Sequence, residues 1–234
     1  MKITIKKSDG FKEYEVSENL LLLQALYEIK QNQDRSLVFE SGCRSMVCGS
    51  CAVRVNGKEV LACSYRIQDG DKVEPLQYHE VMRDLKVDSS KPLIKNKKAQ
   101  SYLHQYQEVV LTSLDEKKLA KQSDCILCDS CYSICPVLAV NENFLGPFAL
   151  TRALRYAEDK READKKAIID SVQKDGVWDC TLCGECTLVC PKGIDPKGDI
   201  LQLRNISASF GYMDPSFSSG GFGSDFGFNP NGGF

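Results

Sequence analysis

The chain has 234 residues, enough for two modest domains, and its 42% hydrophobic and 26% charged content describes a soluble fold with a real core. With a net charge of −2 nothing suggests a nucleic-acid partner, and no apolar run approaches the roughly 18 residues that span a bilayer. Twelve cysteines, with no apolar segment behind the charged start from Met1 to Lys7, read as metal ligation without a signal peptide rather than as disulfides.

Lys2 to Lys6 alternate as a strand does, Asp9-Gly10 supplies a turn, and Phe11 to Val16 return as a second strand. Ser17 stands where a helix N-cap belongs, ahead of Leu20, Leu21, Leu22, Leu23, Ala25, Leu26 and Ile29. Such a helix is apolar enough to pack on the small sheet. Asn32 to Gly42 reads as mostly loop. Cys43, Cys48, Cys51 and Cys63 follow with the spacing C-x4-C-x2-C…C, that of a plant-type 2Fe–2S ferredoxin. Ala52 to Val55, Asn56-Gly57 and Glu59 to Ala62 read as a hairpin with a type I′ turn, which returns Cys63 to the other three. Lys72 to Pro75 closes the sheet. Residues 1–95 are thus expected to form a β-grasp ferredoxin-like domain holding one 2Fe–2S cluster.

Asp88 to about Lys98, polar and lysine-rich around Pro92, reads as a linker, with Lys95 to Lys98 in solvent. Helical patterns follow over Leu103 to Leu114 and Asp115 to Lys121. Pro147 suits the first position of a helix over Phe148 to Lys160, and Glu162 to Val172 reads as another. Gly176 breaks the chain before Trp178, and Ile200 to Ile206 reads as a short helix after Pro196.

Two cysteine runs are set among these helices. Cys125, Cys128, Cys131 and Cys135 precede Pro136, and Cys180, Cys183, Cys186 and Cys190 precede Pro191. Each reads C-x2-C-x2-C-x3-C-P, the pattern in which three cysteines bind one cluster and the fourth binds its neighbour. Two intervening residues let successive thiolates curl around one cube. Three more carry the fourth away along a helix, and the proline removes a backbone donor as the chain turns. The crossed sites are Cys125, Cys128, Cys131 and Cys190 for one 4Fe–4S cluster, and Cys135, Cys180, Cys183 and Cys186 for the second. The second is 3Fe–4S if Cys183 does not bind. Zinc is the alternative for both motifs, since C-x2-C pairs also bind zinc. Three sites of four use all twelve cysteines, which favours clusters.

His79 and His104 read as surface or packing residues, because every site already has four cysteines. Trp178 reads as core packing or as a shield beside Cys180. Ser216 to Phe234 is rich in glycine, serine and phenylalanine, and reads as a disordered extension or a strip that folds onto a partner. The expected fold is α+β: residues 1–95 as above, an all-α helical ferredoxin domain over 96–212, and a tail over 213–234. No nucleophile–base pair, phosphate loop or flavin motif is present, so no catalytic residue is expected.

A 2Fe–2S domain followed by a helical two-cluster domain resembles the iron–sulfur subunit of the succinate dehydrogenase and fumarate reductase family. The resemblance runs over about residues 1–210. It rests on Cys43-Arg44, Cys48-Gly49-Ser50-Cys51, Asn56-Gly57, Leu61-Ala62-Cys63, Asp84-Leu85, Val87-Asp88, Cys125-Ile126-Leu127-Cys128 and Cys190-Pro191-Lys192-Gly193-Ile194. It implies a non-catalytic subunit that relays electrons between an FAD-bearing dicarboxylate subunit and a membrane anchor handling quinone. The location it implies is membrane-associated through partners, on the cytoplasmic face or exported with a signal-bearing partner.

Three departures stand out. Met46 occupies a usual glycine position, so a different loop shape is expected. Cys183 is present where the family usually lacks it and carries 3Fe–4S. Val140 and Thr181 replace a tryptophan and a histidine near the quinone. These point to the branch with a second 4Fe–4S cluster and a cysteine-rich, heterodisulfide-reductase-like anchor. A free-standing ferredoxin carrier, or the iron–sulfur subunit of a flavoprotein complex with another substrate, are the alternatives.

Overall fold

A computed structural model of the protein describes residues 1–216, so most of the tail lies outside the described residues. Strand β1 (Lys2–Lys7) pairs antiparallel with β2 (Gly10–Glu15), turning Ile3, Ile5 and Lys7 inward. Strands β3 (Ala52–Val55) and β4 (Lys58–Leu61) form the second hairpin. Its turn residues, Asn56 at φ 51° and Gly57 at φ 82°, are both left-handed, as a type I′ turn requires. Strand β5 (Lys72–Glu74) lies parallel to β1 and antiparallel to β3, giving the order β2-β1-β5-β3-β4. It joins the two hairpins at the centre of the sheet rather than closing an edge.

Helix α1 (Leu22–Asn32) lays Leu22, Leu23, Ala25, Leu26 and Ile29 across this sheet. Ser17 is not its cap. Leu20 and Leu21 stay extended, held by the Ile67 N–H donating to Leu20 O at 3.2 Å and by a bridge between Leu21 and Arg66. The helix therefore starts later, with the Leu21 N–H donating to Gln24 Oε1 at 2.8 Å, while Ser17 Oγ donates to Glu28. A small hairpin, β6 (Glu80–Arg83) with β7 (Lys86–Asp88), goes beyond the sequence expectation. Asp84, left-handed at its turn and buried, secures it by accepting the N–H groups of Ser8 and Val38.

The expected linker is helix α2 (Ser90–Lys98) instead. Its inner face is Pro92 and Lys95, a pattern too polar to read as amphipathic. Lys95 packs its methylene stem inward and donates from Nζ to Phe144 O at 2.6 Å and to Glu142 O. Burial pushes its pKa down to about 8. Residues 101–112 are irregular rather than helical, because the Glu162 carboxylate takes the N–H groups of His104 and Gln105. Helix α3 (Ser113–Ser123) then starts from Thr112, whose side chain and that of Asp115 cap each other reciprocally.

Helices α4 (Ser130–Ser133), α5 (Pro147–Ala157), α6 (Lys165–Ser171), α7 (Glu185–Leu188) and α8 (Pro196–Ser209) complete the second domain. Pro147 opens α5 as expected, and α5 runs through the core with Phe148, Leu150 and Leu154 buried. Short α4 and α7 pack on each other and carry the two cysteine runs. Among the described residues, no helix is long and apolar enough to cross a membrane.

Candidate iron–sulfur centres

The loop from Cys43 to Cys51 is bent by left-handed residues, Arg44 at φ 59°, Met46 at φ 58° and Gly49 at φ 76°. These bends aim the N–H groups of Ser45, Val47 and Cys48 at Cys43 Sγ, at 3.3, 3.2 and 3.2 Å. Such a nest of amides favours a negatively charged sulfur. The Cys43 N–H donates in turn to Cys48 Sγ at 3.3 Å. The Ser50 hydroxyl leads the groups that hold the Cys48 thiol well below its ordinary value. Cys51 and Cys63 lie buried on the hairpin side and interact with each other; burial pushes the Cys51 thiol up. The hairpin thus brings Cys63 back beside Cys51.

The two runs in the second domain repeat one backbone course. Leu127 and Leu182, two residues after each first cysteine, are left-handed at φ 52° and 56°, and Asp129 and Gly184 are left-handed at 59° and 89°. A left-handed leucine costs about 1–2 kcal/mol, so neither conformation is a casual one. Its effect is to curl the chain until the Leu182 N–H reaches Cys180 Sγ at 3.4 Å, and the Leu127 N–H likewise reaches Cys125.

Cys125, Cys128, Cys131 and Cys190 line one cavity, with Leu127, Phe148 and Ile194 and also Asp129, Thr151 and Lys192 in its wall. Cys190 comes from the other run. Cys135 feels the charges of Cys180 and Cys183, and Cys186 those of Cys180, Cys135 and Cys183, so these four thiols lie near one another. Burial pushes the thiols of Cys135 up to about 11 and of Cys186 up to about 12, and Cys131 well above its ordinary value. Thiols buried this way surrender their protons readily only to a metal cation, which supplies the missing positive charge. The first group surrounds a cavity, and four thiol donors around it fit a polynuclear cluster.

The N-terminal loop and the first run touch. Gly49 is buried, and a Cβ added to it would stand 2.8 Å from Cys128 Cβ and 3.0 Å from Ile126 O. Ile126 and Cys128 pack on the N-terminal core. Beside them Ser133, fully buried, accepts the Gln77 N–H at 2.8 Å and donates to Glu59 at 2.7 Å, while Glu59 pairs with Arg54 at 3.2 Å. Burial still raises the Glu59 carboxyl above its ordinary value, against the pull of Ser133 and Arg54.

Comparison with known proteins agrees with this layout. Residues 3–93 match the 2Fe-2S iron-sulfur cluster binding domain family, and residues 121–194 match the 4Fe-4S dicluster domain family. The chain is 34% identical to the fumarate reductase iron-sulfur subunit of Mycobacterium tuberculosis, over 93% of its length and 94% of that subunit. It is 36% identical to the 8-methylmenaquinol:fumarate reductase iron-sulfur subunit of Wolinella succinogenes, over 87% of this chain and 72% of that one. The chain belongs to the succinate dehydrogenase and fumarate reductase iron–sulfur subunit family.

It is also 36% identical to an uncharacterized iron-sulfur protein of Methanocaldococcus jannaschii, but spans only 45% of that longer protein. A chain of the Mycobacterium smegmatis Sdh1 complex shares the fold, with a TM-score of 0.80 at 23% identity over 91% of this chain and 97% of that one. As a member of this family the protein is a non-catalytic electron-transfer subunit of an oxidoreductase complex, with a 2Fe–2S domain followed by a 4Fe–4S domain.

Met46 is left-handed, in a turn that glycine favours. Val140 and Thr181 are both exposed. His79 is a packing residue: its side chain is enclosed at the seam, edge-on to Tyr132, with Nε2 3.3 Å from Asp129. His104 stacks on Tyr102. Trp178 is half-buried against the core and donates from Nε1 to Gln173.

Sequence reasoning missed two kinds of residue. Arg152 and Arg204 partly oppose the effect of burial at Cys125 and Cys180, the first cysteines of the two runs. Arg204 also donates to Cys180 O at 2.6 Å. Nothing in the spacing marks either arginine. Ser50 and Ser130 reach cysteine sulfurs, and the shared Cys-x-Ser-Cys spelling is a signal that could have found them.

Proposed function

We propose that this subunit carries three clusters in a line and relays electrons between an FAD-bearing dicarboxylate subunit and a membrane-associated partner. Cys43, Cys48, Cys51 and Cys63 hold the 2Fe–2S cluster in a domain over about residues 1–95. Cys125, Cys128, Cys131 and Cys190 hold the first 4Fe–4S cluster, and Cys135, Cys180, Cys183 and Cys186 the second, in a domain over about 96–212. Bound clusters supply one-electron chemistry that side chains lack. The chain's own residues fix spacing, exclude water and donate hydrogen bonds to sulfur.

The observation that carries this reading is the single cavity lined by three cysteines of the first run and the fourth of the second. A crossed fourth ligand is what two adjacent cubanes need. The name of the Wolinella succinogenes relative favours fumarate and a quinol as the outer redox partners. The anchor is quinone-handling or thiol-reactive, of the cysteine-rich heterodisulfide-reductase kind. Exposed Val140 and Thr181 in place of the family's tryptophan and histidine favour the second kind. Association with the membrane, on the cytoplasmic face, comes through that partner.

Iron, acid-labile sulfide and EPR of the anaerobic protein, before and after dithionite, test the reading. About ten irons and no 3Fe signal in the oxidised sample are expected. About nine irons with a 3Fe signal that added iron does not convert would remove Cys183 from the ligands. Zinc without sulfide would sink the proposal.

A further inference from the structure

Two serines hold the same place in two unrelated folds. Ser50 follows Cys48 by two residues in the N-terminal loop, and Ser130 follows Cys128 by two at the start of α4. Ser50 Oγ lies 3.2 Å from Cys48 Sγ, and Ser130 Oγ lies 3.4 Å from Cys128 Sγ. Ser130 is almost wholly buried, so little water competes for that contact.

The segments that carry the serines are also those that meet between the domains. Cys48, Gly49, Ser50 and Cys51 line one side of a cleft, and Leu127, Cys128 and Asp129 line the other. Within it Gly49 leaves no room for a side chain against Cys128. The two serine-bonded cysteines therefore both line the cleft between the two proposed centres.

A hydroxyl beside an iron-bound thiolate gains energy by turning its hydrogen toward sulfur. Reduction adds one electron to a centre, breaks no bond and takes up no proton. It makes the sulfur more electron-rich, and the O–H···S bond strengthens. The reduced form gains more than the oxidised form, so the reduction potential rises.

We propose that Ser50 and Ser130 are a matched pair of positioning residues, acting through the sulfurs of Cys48 and Cys128. They raise the potentials of the two adjoining centres, each acting on its own side of the Gly49–Cys128 contact. This inference rests on the cluster assignment above. One electron leaves the centre at Cys43, Cys48, Cys51 and Cys63 and arrives at the one at Cys125, Cys128, Cys131 and Cys190, or the reverse.

The test is an EPR-monitored redox titration of the anaerobic full-length protein and of Ser50→Ala, Ser130→Ala and Ser130→Thr. Ser50→Ala is expected to lower the potential of the 2Fe–2S centre and leave the first cubane unmoved. Ser130→Ala is expected to do the converse, and Ser130→Thr, which keeps a hydroxyl, to return the potential toward that of the unaltered protein. An unmoved potential in either alanine variant, with iron and sulfide intact, would overturn the inference. Loss of the cluster in either alanine variant would overturn it too, by making that serine a scaffold residue. Unaltered protein without iron and sulfide would instead defeat the cluster assignment itself.

Discussion

Met46 sits at φ 58° in the loop that aims three amides at Cys43. For a residue with a side chain, that conformation costs about 1–2 kcal/mol. Glycine would remove the cost while losing about 0.4–1 kcal/mol through the freedom it adds to the unfolded chain. Met46→Gly is therefore expected to stabilise the protein by up to about 1 kcal/mol, read as a higher thermal midpoint with unchanged iron. The sequence shows a methionine at a usual glycine position but not which backbone it adopts, because φ depends on where the following amides must point. The cysteine ligand candidates were legible at this scale, since their spacing is itself a geometric statement. The serines and arginines beside them were not, because a tuning group can be supplied from any element that passes close by.

At the scale of elements, β1 and the end of α1 are tied by Asp34. Its carboxylate accepts Ser36 Oγ at 2.5 Å, Tyr14 OH at 2.6 Å and Lys7 Nζ at 2.9 Å. Ser36, then Tyr14 and Lys7, hold the carboxyl well below its ordinary value. A depressed carboxyl stabilises the fold fully above its unfolded pKa of about 3.9 and loses that contribution as pH falls from there toward the folded value. Asp34→Asn should cost about 2–3 kcal/mol at pH 7, and the gap to the unaltered protein should narrow below about pH 4 in denaturant titrations. A gap independent of pH would refute the ionic account. Strand alternation, the Asn56-Gly57 turn and Pro147 were readable because they are local signals. Helix α2 was not, because its buried face is a lysine that only the carbonyls of Glu142 and Phe144 make tolerable.

At the scale of the whole molecule, the two domains meet where Gly49 packs on Cys128 and where Ser133 bridges Gln77 and Glu59. Gly49→Ala would place a methyl group 2.8 Å from Cys128 Cβ, on a residue already left-handed at φ 76°. A stability loss of about 1–3 kcal/mol is expected. Spin–spin coupling between the reduced 2Fe–2S centre and the first cubane should weaken as the contact opens. Gly42→Ala is the control, since its Cβ would press on Cys48 Sγ at 2.9 Å within the same loop. Equal weakening in both variants would trace the effect to the loop and not to the seam.

By itself, the sequence determined the order of the two domains and the three runs in which the twelve cysteines are spaced. Each follows from spacing within a few residues. Tertiary structure decided which glycine brings the domains into contact, and which hydroxyls and guanidinium groups bear on the sulfurs. Those are relations between segments tens of residues apart, and only the packing of one domain's surface on the other's brings them within reach.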